Sequence, residues 1–128
     1  MGGLQMKMDY DVLRDVMLKI EEEYVDVALY NIEVKDYDMK TIAYHCKLLY
    51  EAGFVSDYAG NYYDDGLQEF GVGPLTFKGN EYLNKIREKS TWEKTKKVVL
   101  EGGVPGTIEI LGKVATSIIE KKLEKLLE

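Results

Sequence analysis

The chain has 128 residues, of which 45% are apolar and 31% charged, with two prolines, one cysteine and a formal net charge of −6. That length allows one domain, or a small domain with an appendage, and argues against a two-domain enzyme. The composition excludes a disordered or low-complexity chain. One cysteine closes no internal disulfide, no window reaches about 18 uninterrupted apolar residues, and Met1 to Gln5 lacks a basic region leading into an apolar run. The expected setting is therefore the cytoplasm, with no membrane partner.

The charge is unevenly spread. Residues 1–75 hold six Lys or Arg against fifteen Asp or Glu, a balance of −9, while residues 76–128 hold eleven against eight, a balance of +3. The acidic part discourages a phosphate backbone, although beyond a Debye length of about 8 Å only the local face counts.

In chain order, Tyr10, Leu13, Met17, Ile20 and Tyr24 recur in steps of three and four, predicting an amphipathic helix over Asp9 to Glu23 with Asp9 as N-cap. Val25 to Val34 is β-branched with partial alternation, and reads as a short strand or an irregular connector. Asp38 caps a second helix, Met39 to Ala52, that ends at Gly53. Its Met39, Ile42, Cys46 and Leu49 share one side. Lys40, Tyr44, Lys47 and Glu51 take the other, with Thr41 and His45 at the edges. Phe54 to Tyr58 reads as a strand, Ala59 to Gln68 as a polar tip, and Glu69 to Leu75 as the returning strand. Thr76 caps a third helix carrying Phe77, Tyr82, Leu83 and Ile86. Ser90-Thr91-Trp92-Glu93 has the form of a capping box, which restarts a helix to about Leu100. Gly102 to Gly106 is the clearest break. Beyond it, Thr107 opens a helix to Leu127 with Ile108, Leu111, Ala115, Ile118, Ile119, Leu123 and Leu126 on one stripe.

This order of elements is that of a winged-helix unit: an α+β domain at residues 6–101 with a hairpin wing, followed by a C-terminal amphipathic helix at 102–128. Three stretches, Ile42 to Phe54, Pro74 to Leu83 and Ser90 to Lys96, resemble the domain of unknown function 2513 family and, more distantly, the YjcQ-like proteins. The resemblance covers about residues 6–125. It implies a winged-helix-like fold and a bacterial, prophage or mobile-element setting, and it brings no activity or catalytic residues. In a DNA-binding winged helix the second long helix enters the major groove and the hairpin touches the backbone or minor groove. Those parts correspond here to Lys40, Thr41, Tyr44, His45 and Lys47, and to the tip.

No catalytic, cofactor or metal motif is present. His45 and Cys46 are neighbours on a helix and point about 100° apart, so they form neither a metal site nor a nucleophile–base pair. The expectation for His45 is a helix-edge residue bonded to backbone, and for Cys46 a core residue. Glu21 to Glu23 reads as a solvated helix end, and Gly71-Val72-Gly73-Pro74 lacks the lysine and spacing of a phosphate loop. Tyr58, Tyr62 and Tyr63 cluster in the hairpin. They serve either as strand residues packed on the core or as contact area for a partner. The final helix buries its stripe either on its own domain or in a homodimer through Ile108, Leu111, Ala115 and Ile119, and its mixed polar face does not suit a membrane surface.

The expectation is a non-enzymatic protein-interaction module presenting Lys40, Thr41, Tyr44, His45, Lys47, Tyr58, Tyr62 and Tyr63, without cofactor or small-molecule substrate. The alternative is a regulator that binds duplex DNA. Against DNA stand Asp64 and Asp65 in a tip with no Lys or Arg, Glu69 directly after it, and Asp36 and Asp38 at the helix start.

Overall fold

The computed structural model describes residues 6–64 and 66–128. The chain is α+β, in the order α1 (Tyr10–Glu23), β1 (Leu29–Tyr30), α2 (Met39–Glu51), β2 (Tyr58–Tyr63), β3 (Gly66–Val72), α3 (Phe77–Ile86), α4 (Lys89–Gly102) and α5 (Ile108–Leu126). The strands form an antiparallel sheet ordered β1-β3-β2. Two compact units arise, Met1–Asn80 and Glu81–Glu128, divided inside α3. The glycine-rich stretch 102–106, where the sequence reading starts the C-terminal helical extension, lies within the second unit. Gly103 there takes the left-handed φ of +67°, which a side chain disfavours.

In the first unit, the Asp9 carboxylate accepts from the N–H groups of Asp11 (2.8 Å) and Val12 (3.3 Å), capping α1. Val12, Leu13, Val16, Met17 and Ile20 are buried. Asp38 caps α2 by accepting from the Thr41 N–H at 2.8 Å, and the Thr41 side chain together with that N–H holds its carboxyl below the usual range. The buried face of α2 is Ile42, Ala43, Cys46 and Leu49, joined by His45. Met39, expected on that face, is exposed because the buried stripe starts one turn later, at Ile42. Gly53 (φ +80°) ends the helix.

The hairpin is tighter than the sequence suggests. Phe54 and Val55 are buried but make only an isolated bridge, Val55 to Leu75, and β2 starts at Tyr58. The expected polar tip is mostly strand: the ladder continues to the pair Tyr63 and Gly66, while Asp65 lies outside the described residues. The returning strand begins at Gly66 and ends at Val72 instead of running from Glu69 to Leu75. Pro74, which lacks an N–H, can then only accept, as it does from Ser56 N–H at 3.0 Å. The 25–34 segment supplies a two-residue strand that Asn31 lengthens. Its N–H donates to the Phe70 carbonyl, and its side-chain oxygen accepts from the Phe70 N–H, both at 2.9 Å.

Thr76 fastens the start of α3 to the end of α2. Its hydroxyl donates to the Gly53 carbonyl (2.6 Å) and accepts from the Gly79 N–H (3.0 Å), and its own N–H donates to the Phe54 carbonyl (2.9 Å). Lys78 reaches the Ala52 carbonyl at 3.2 Å, a cation on the negative end of α2, and lies 5.6 Å from the centre of the Phe54 ring.

In the second unit, α4 and α5 pack on each other around Trp92, Thr95, Val99, Leu111, Ala115 and Ile118. Tyr82 lays its ring against Gly112, where a Cβ would come within 3.3 Å, and its hydroxyl donates to the Ile108 carbonyl at 2.8 Å. The stripe of α5 is thus spent on its own chain as far as Ile118. A dimer seam through Ile108, Leu111, Ala115 and Ile119 would have to reopen that core, since Leu111 and Ala115 are 3% and 0% exposed. The capping box does not form. The helix starts at Lys89, before Ser90, and Glu93 pairs forward with Lys96 at 3.2 Å. Glu88 instead collects Lys122 Nζ (2.7 Å), Ser90 Oγ (2.7 Å) and Thr91 Oγ1 (3.2 Å), which hold its carboxyl down to about 2.

Gly79 tests the first unit's packing, because a Cβ there would lie 2.1 Å from the Phe54 carbonyl oxygen. Gly79→Ala is expected to destabilise by about 1–3 kcal/mol, the usual cost of overpacking against backbone. Gly102→Ala, with nothing within 4 Å, is expected to be neutral or to stabilise by up to about 1 kcal/mol. Urea denaturation followed by circular dichroism measures both.

Candidate functional site

The outer lip of α2 and the inner face of the hairpin enclose a groove of about 340 Å³, within the first unit. The groove is lined by Met6, Ala43, Tyr44, Tyr62, Gly66 and Leu67, and Lys40 and Lys47 stand on the α2 side. A helix rises 1.5 Å per residue, so two lysines seven positions apart stand about 10 Å apart along its axis. Tyr44 is midway between them. Among the described residues neither lysine makes an ion pair. Lys40 leans towards the hairpin, its Nζ 3.8 Å from where a Cβ on Gly66 would sit.

A bulge makes the groove apolar. Opposite residues in an antiparallel ladder share a face, and here Tyr58 faces Val72 and Gly60 faces Phe70. Strict alternation would bring Gln68 onto that face next. The register instead steps over Gln68, pairing Asn61 with Glu69 and Tyr62 with Leu67. One extra residue on β3 therefore turns Leu67 into the groove. Gly60 gives the two tyrosines room: a Cβ there would meet Tyr58 Oη and Tyr62 Cε2, each at 2.9 Å. The phenols approach to 3.4 Å, and the Tyr58 ring stacks on Phe70 with centroids 6.4 Å apart. Burial pushes the Tyr58 phenol up.

Of the residues singled out from the sequence, Lys40, Tyr44, Lys47 and Tyr62 come together here. Tyr58 is half-buried beneath Tyr62 and serves the hairpin core. Tyr63 is exposed, one position beyond Tyr62 and outside the groove lining. Thr41 is occupied in the α2 cap. His45 leaves the presented face altogether, at 1% exposure. Its Nε2 accepts from the Asp9 N–H at 2.9 Å, and its Nδ1 donates to the Thr41 carbonyl at 2.8 Å. A backbone N–H only donates and a carbonyl only accepts, so the ring is neutral with its proton on Nδ1. Cys46 is fully buried, and burial pushes its thiol up to about 12, leaving it protonated and out of reach as a nucleophile. Leu67, Ala43 and Met6 escape the sequence reading. Leu67 is the sole aliphatic residue larger than alanine between Ala59 and Gln68, which was the available signal.

A larger concavity of about 590 Å³ follows the connector Asn31 to Ile42. It lies between the connector and the first turn of α2, where Met39 and Ile42 line it, and is edged by Glu33, Asp36 and Asp38. Among the described residues no group of three or more His, Cys, Asp or Glu could hold a metal, and no helix is long and apolar enough to cross a membrane.

A family model described as "Hypothetical protein (DUF2513)" matches residues 7–105. The chain belongs to the DUF2513 family. An uncharacterized protein of Haemophilus influenzae is 29% identical over 123 residues, 92% of this chain and 99% of its own length. No solved structure matches. The DUF2513 match takes in every groove-lining residue except Met6 and stops before α5.

His45 makes stability depend on pH. Burial lowers its pKa from the ordinary value near 6.5, so between that value and the lowered one the unfolded chain binds a proton that the folded chain refuses. Its contribution is complete above about pH 6.5 and declines as pH falls through that window. The denaturation midpoint is expected to drop between pH 7 and pH 5. The His45→Gln variant, less stable at pH 7, is expected to show a flatter profile over the same range.

Proposed function

We propose that this DUF2513 protein is a non-enzymatic binding module on a winged-helix-like frame, acting as a bacterial or prophage-borne regulator in the cytoplasm and engaging a protein partner through the α2–hairpin groove. The observation that carries the reading is the composition of the groove. Tyr44, Tyr62, Leu67 and Ala43 form an apolar centre, and Lys40 and Lys47 form a charged rim. Protein interfaces share that anatomy, with tyrosine over-represented at the energetic centre. The frame is supported by the order helix, short strand, helix and hairpin leading into α3, with β1 pairing on β3 beside β2. A bacterial setting is supported by the Haemophilus influenzae relative.

Duplex DNA is the second reading, because on a winged-helix frame α2 would be the helix that enters the major groove, and it carries both lysines. Magnitude argues against it. A tight DNA binder commonly neutralises about 6–10 phosphates. In the first unit Lys19 is paired with Glu23 at 2.9 Å, Arg14 lies 3.7 Å from Asp15 and Lys78 is tied to the α2 carbonyl end, which leaves Lys7, Lys35, Lys40 and Lys47, still fewer than such a binder uses. Asp57, Asp64 and Glu69 meanwhile sit exposed on the hairpin.

Fluorescence anisotropy with a labelled duplex of about 20 base pairs, at 50 and 200 mM salt, tests the reading. The expected outcome is affinity weaker than micromolar even at the lower salt. Micromolar or tighter binding, with a slope of log K against log salt of about −4 or steeper, would make DNA the ligand.

A further inference from the structure

We propose that the α2–hairpin groove takes an extended peptide segment of the pattern acid-x-apolar-x-acid, its two carboxylates meeting Lys40 and Lys47 and its central side chain lying between Tyr44 and Leu67. The inference rests on the binding-module reading and specifies the partner's chemistry. Three observations carry it.

The first is charge. Lys40 and Lys47 stand in a stretch, residues 1–75, where acidic residues outnumber basic ones by fifteen to six. They are the two cations lining the groove, and no carboxylate lines it among the described residues. The second is spacing. On an extended strand, residues i, i+2 and i+4 share a face and span about 13 Å at about 3.3 Å per residue. Two flexible lysine stems about 10 Å apart along α2 reach carboxylates at i and i+4, and residue i+2 then falls beside Tyr44. The third is size. A helix with its side chains is about 10–12 Å across, so two turns would occupy roughly 1,000 Å³. The groove offers about 340 Å³, so it does not enclose two turns of helix, and the extended segment proposed lays only its i, i+2 and i+4 side chains into it.

The test uses the full-length protein and labelled nine-residue peptides in anisotropy titrations at 50 mM salt. The first peptide carries aspartates at positions 3 and 7 around a central phenylalanine. The second replaces both aspartates by asparagine, and the third replaces the phenylalanine by glycine. The fourth spaces the aspartates seven apart in a helix-forming sequence. The proposal expects the first to bind, the second and third to bind at least tenfold more weakly, and the fourth to bind no better than the second. Lys40→Glu/Lys47→Glu, at surface positions that leave the fold intact by circular dichroism, is expected to weaken the first peptide at least tenfold and the second less than threefold. Amide shifts on titration are expected at Lys40 to Lys47 and at Tyr62 to Leu67. Tighter binding of the helical peptide would overturn the extended mode. Indifference of the first peptide to the double variant would overturn the site. Absence of binding by every peptide up to millimolar concentration overturns the proposal. If generic duplex then binds with the steep salt slope given above, the binding-module reading falls with it; if not, only this inference falls.

Discussion

The structure of the first unit turns on α2 being held from two directions. Its inner face packs on α1 through Ile42, Ala43, Cys46 and Leu49, and His45 adds directional bonds to that apolar contact. Its ring accepts the Asp9 N–H at the start of α1 and donates to a carbonyl of α2, so the two helices are placed by geometry as well as by burial. At the other end, Thr76 and Lys78 occupy carbonyls at or just beyond the end of α2 and draw the start of α3 to it. A helix held at both ends and along one side has one strip left to present. The hairpin closes over part of that strip and makes it a groove.

Much of this is legible in the sequence, because it follows from strong local rules. Asp9, Asp38, Thr76 and Thr107 each sit where a side-chain oxygen can take the free N–H groups of a helix start, and each does so. Gly53 and Gly103 mark helix ends through their positive φ. What is not legible depends on pairing partners. The composition of residues 59–68 looks like a loop, since glycine, asparagine and aspartate are frequent there, yet the ladder runs through nearly all of it. Cross-strand pairing overrode local propensity, as it commonly does in strands. The bulge at Gln68 is likewise a property of register, which no single strand displays. The capping box failed for a related reason: Ser90 and Thr91 turn their hydroxyls towards Glu88, a carboxylate also claimed by Lys122 from 34 positions away.

His45 shows how a functional reading can go astray on a helical wheel. At 100° per residue it falls at the boundary between the two faces, and a polar ring is naturally placed outward. Two backbone groups, the Asp9 N–H and the Thr41 carbonyl, satisfy both ring nitrogens inside, and burial then costs little because no polar atom is left without a partner. The loss of His45 from the presented face narrows it to Lys40, Tyr44 and Lys47. A narrower face is chemically simpler, with two like charges and an aromatic between them.

Long-range and short-range electrostatics then separate the classes of ligand such a face can hold. Duplex DNA carries a charge about every 1.7 Å of axis and lies across a wide area, so it meets Asp57, Asp64 and Glu69 along with the two lysines. A segment with two carboxylates is short. Within a screening length of about 8 Å its charges are governed by the nearest lysine, and the acidic residues beyond are damped by salt. The same field that repels a polyanion therefore tolerates a short acidic motif and disfavours long acidic runs. On the proposed reading, the surrounding carboxylates would act on specificity, setting an upper limit on how much negative charge a partner could bring, while Tyr44 and Leu67 would supply the apolar contact that two exposed lysines cannot.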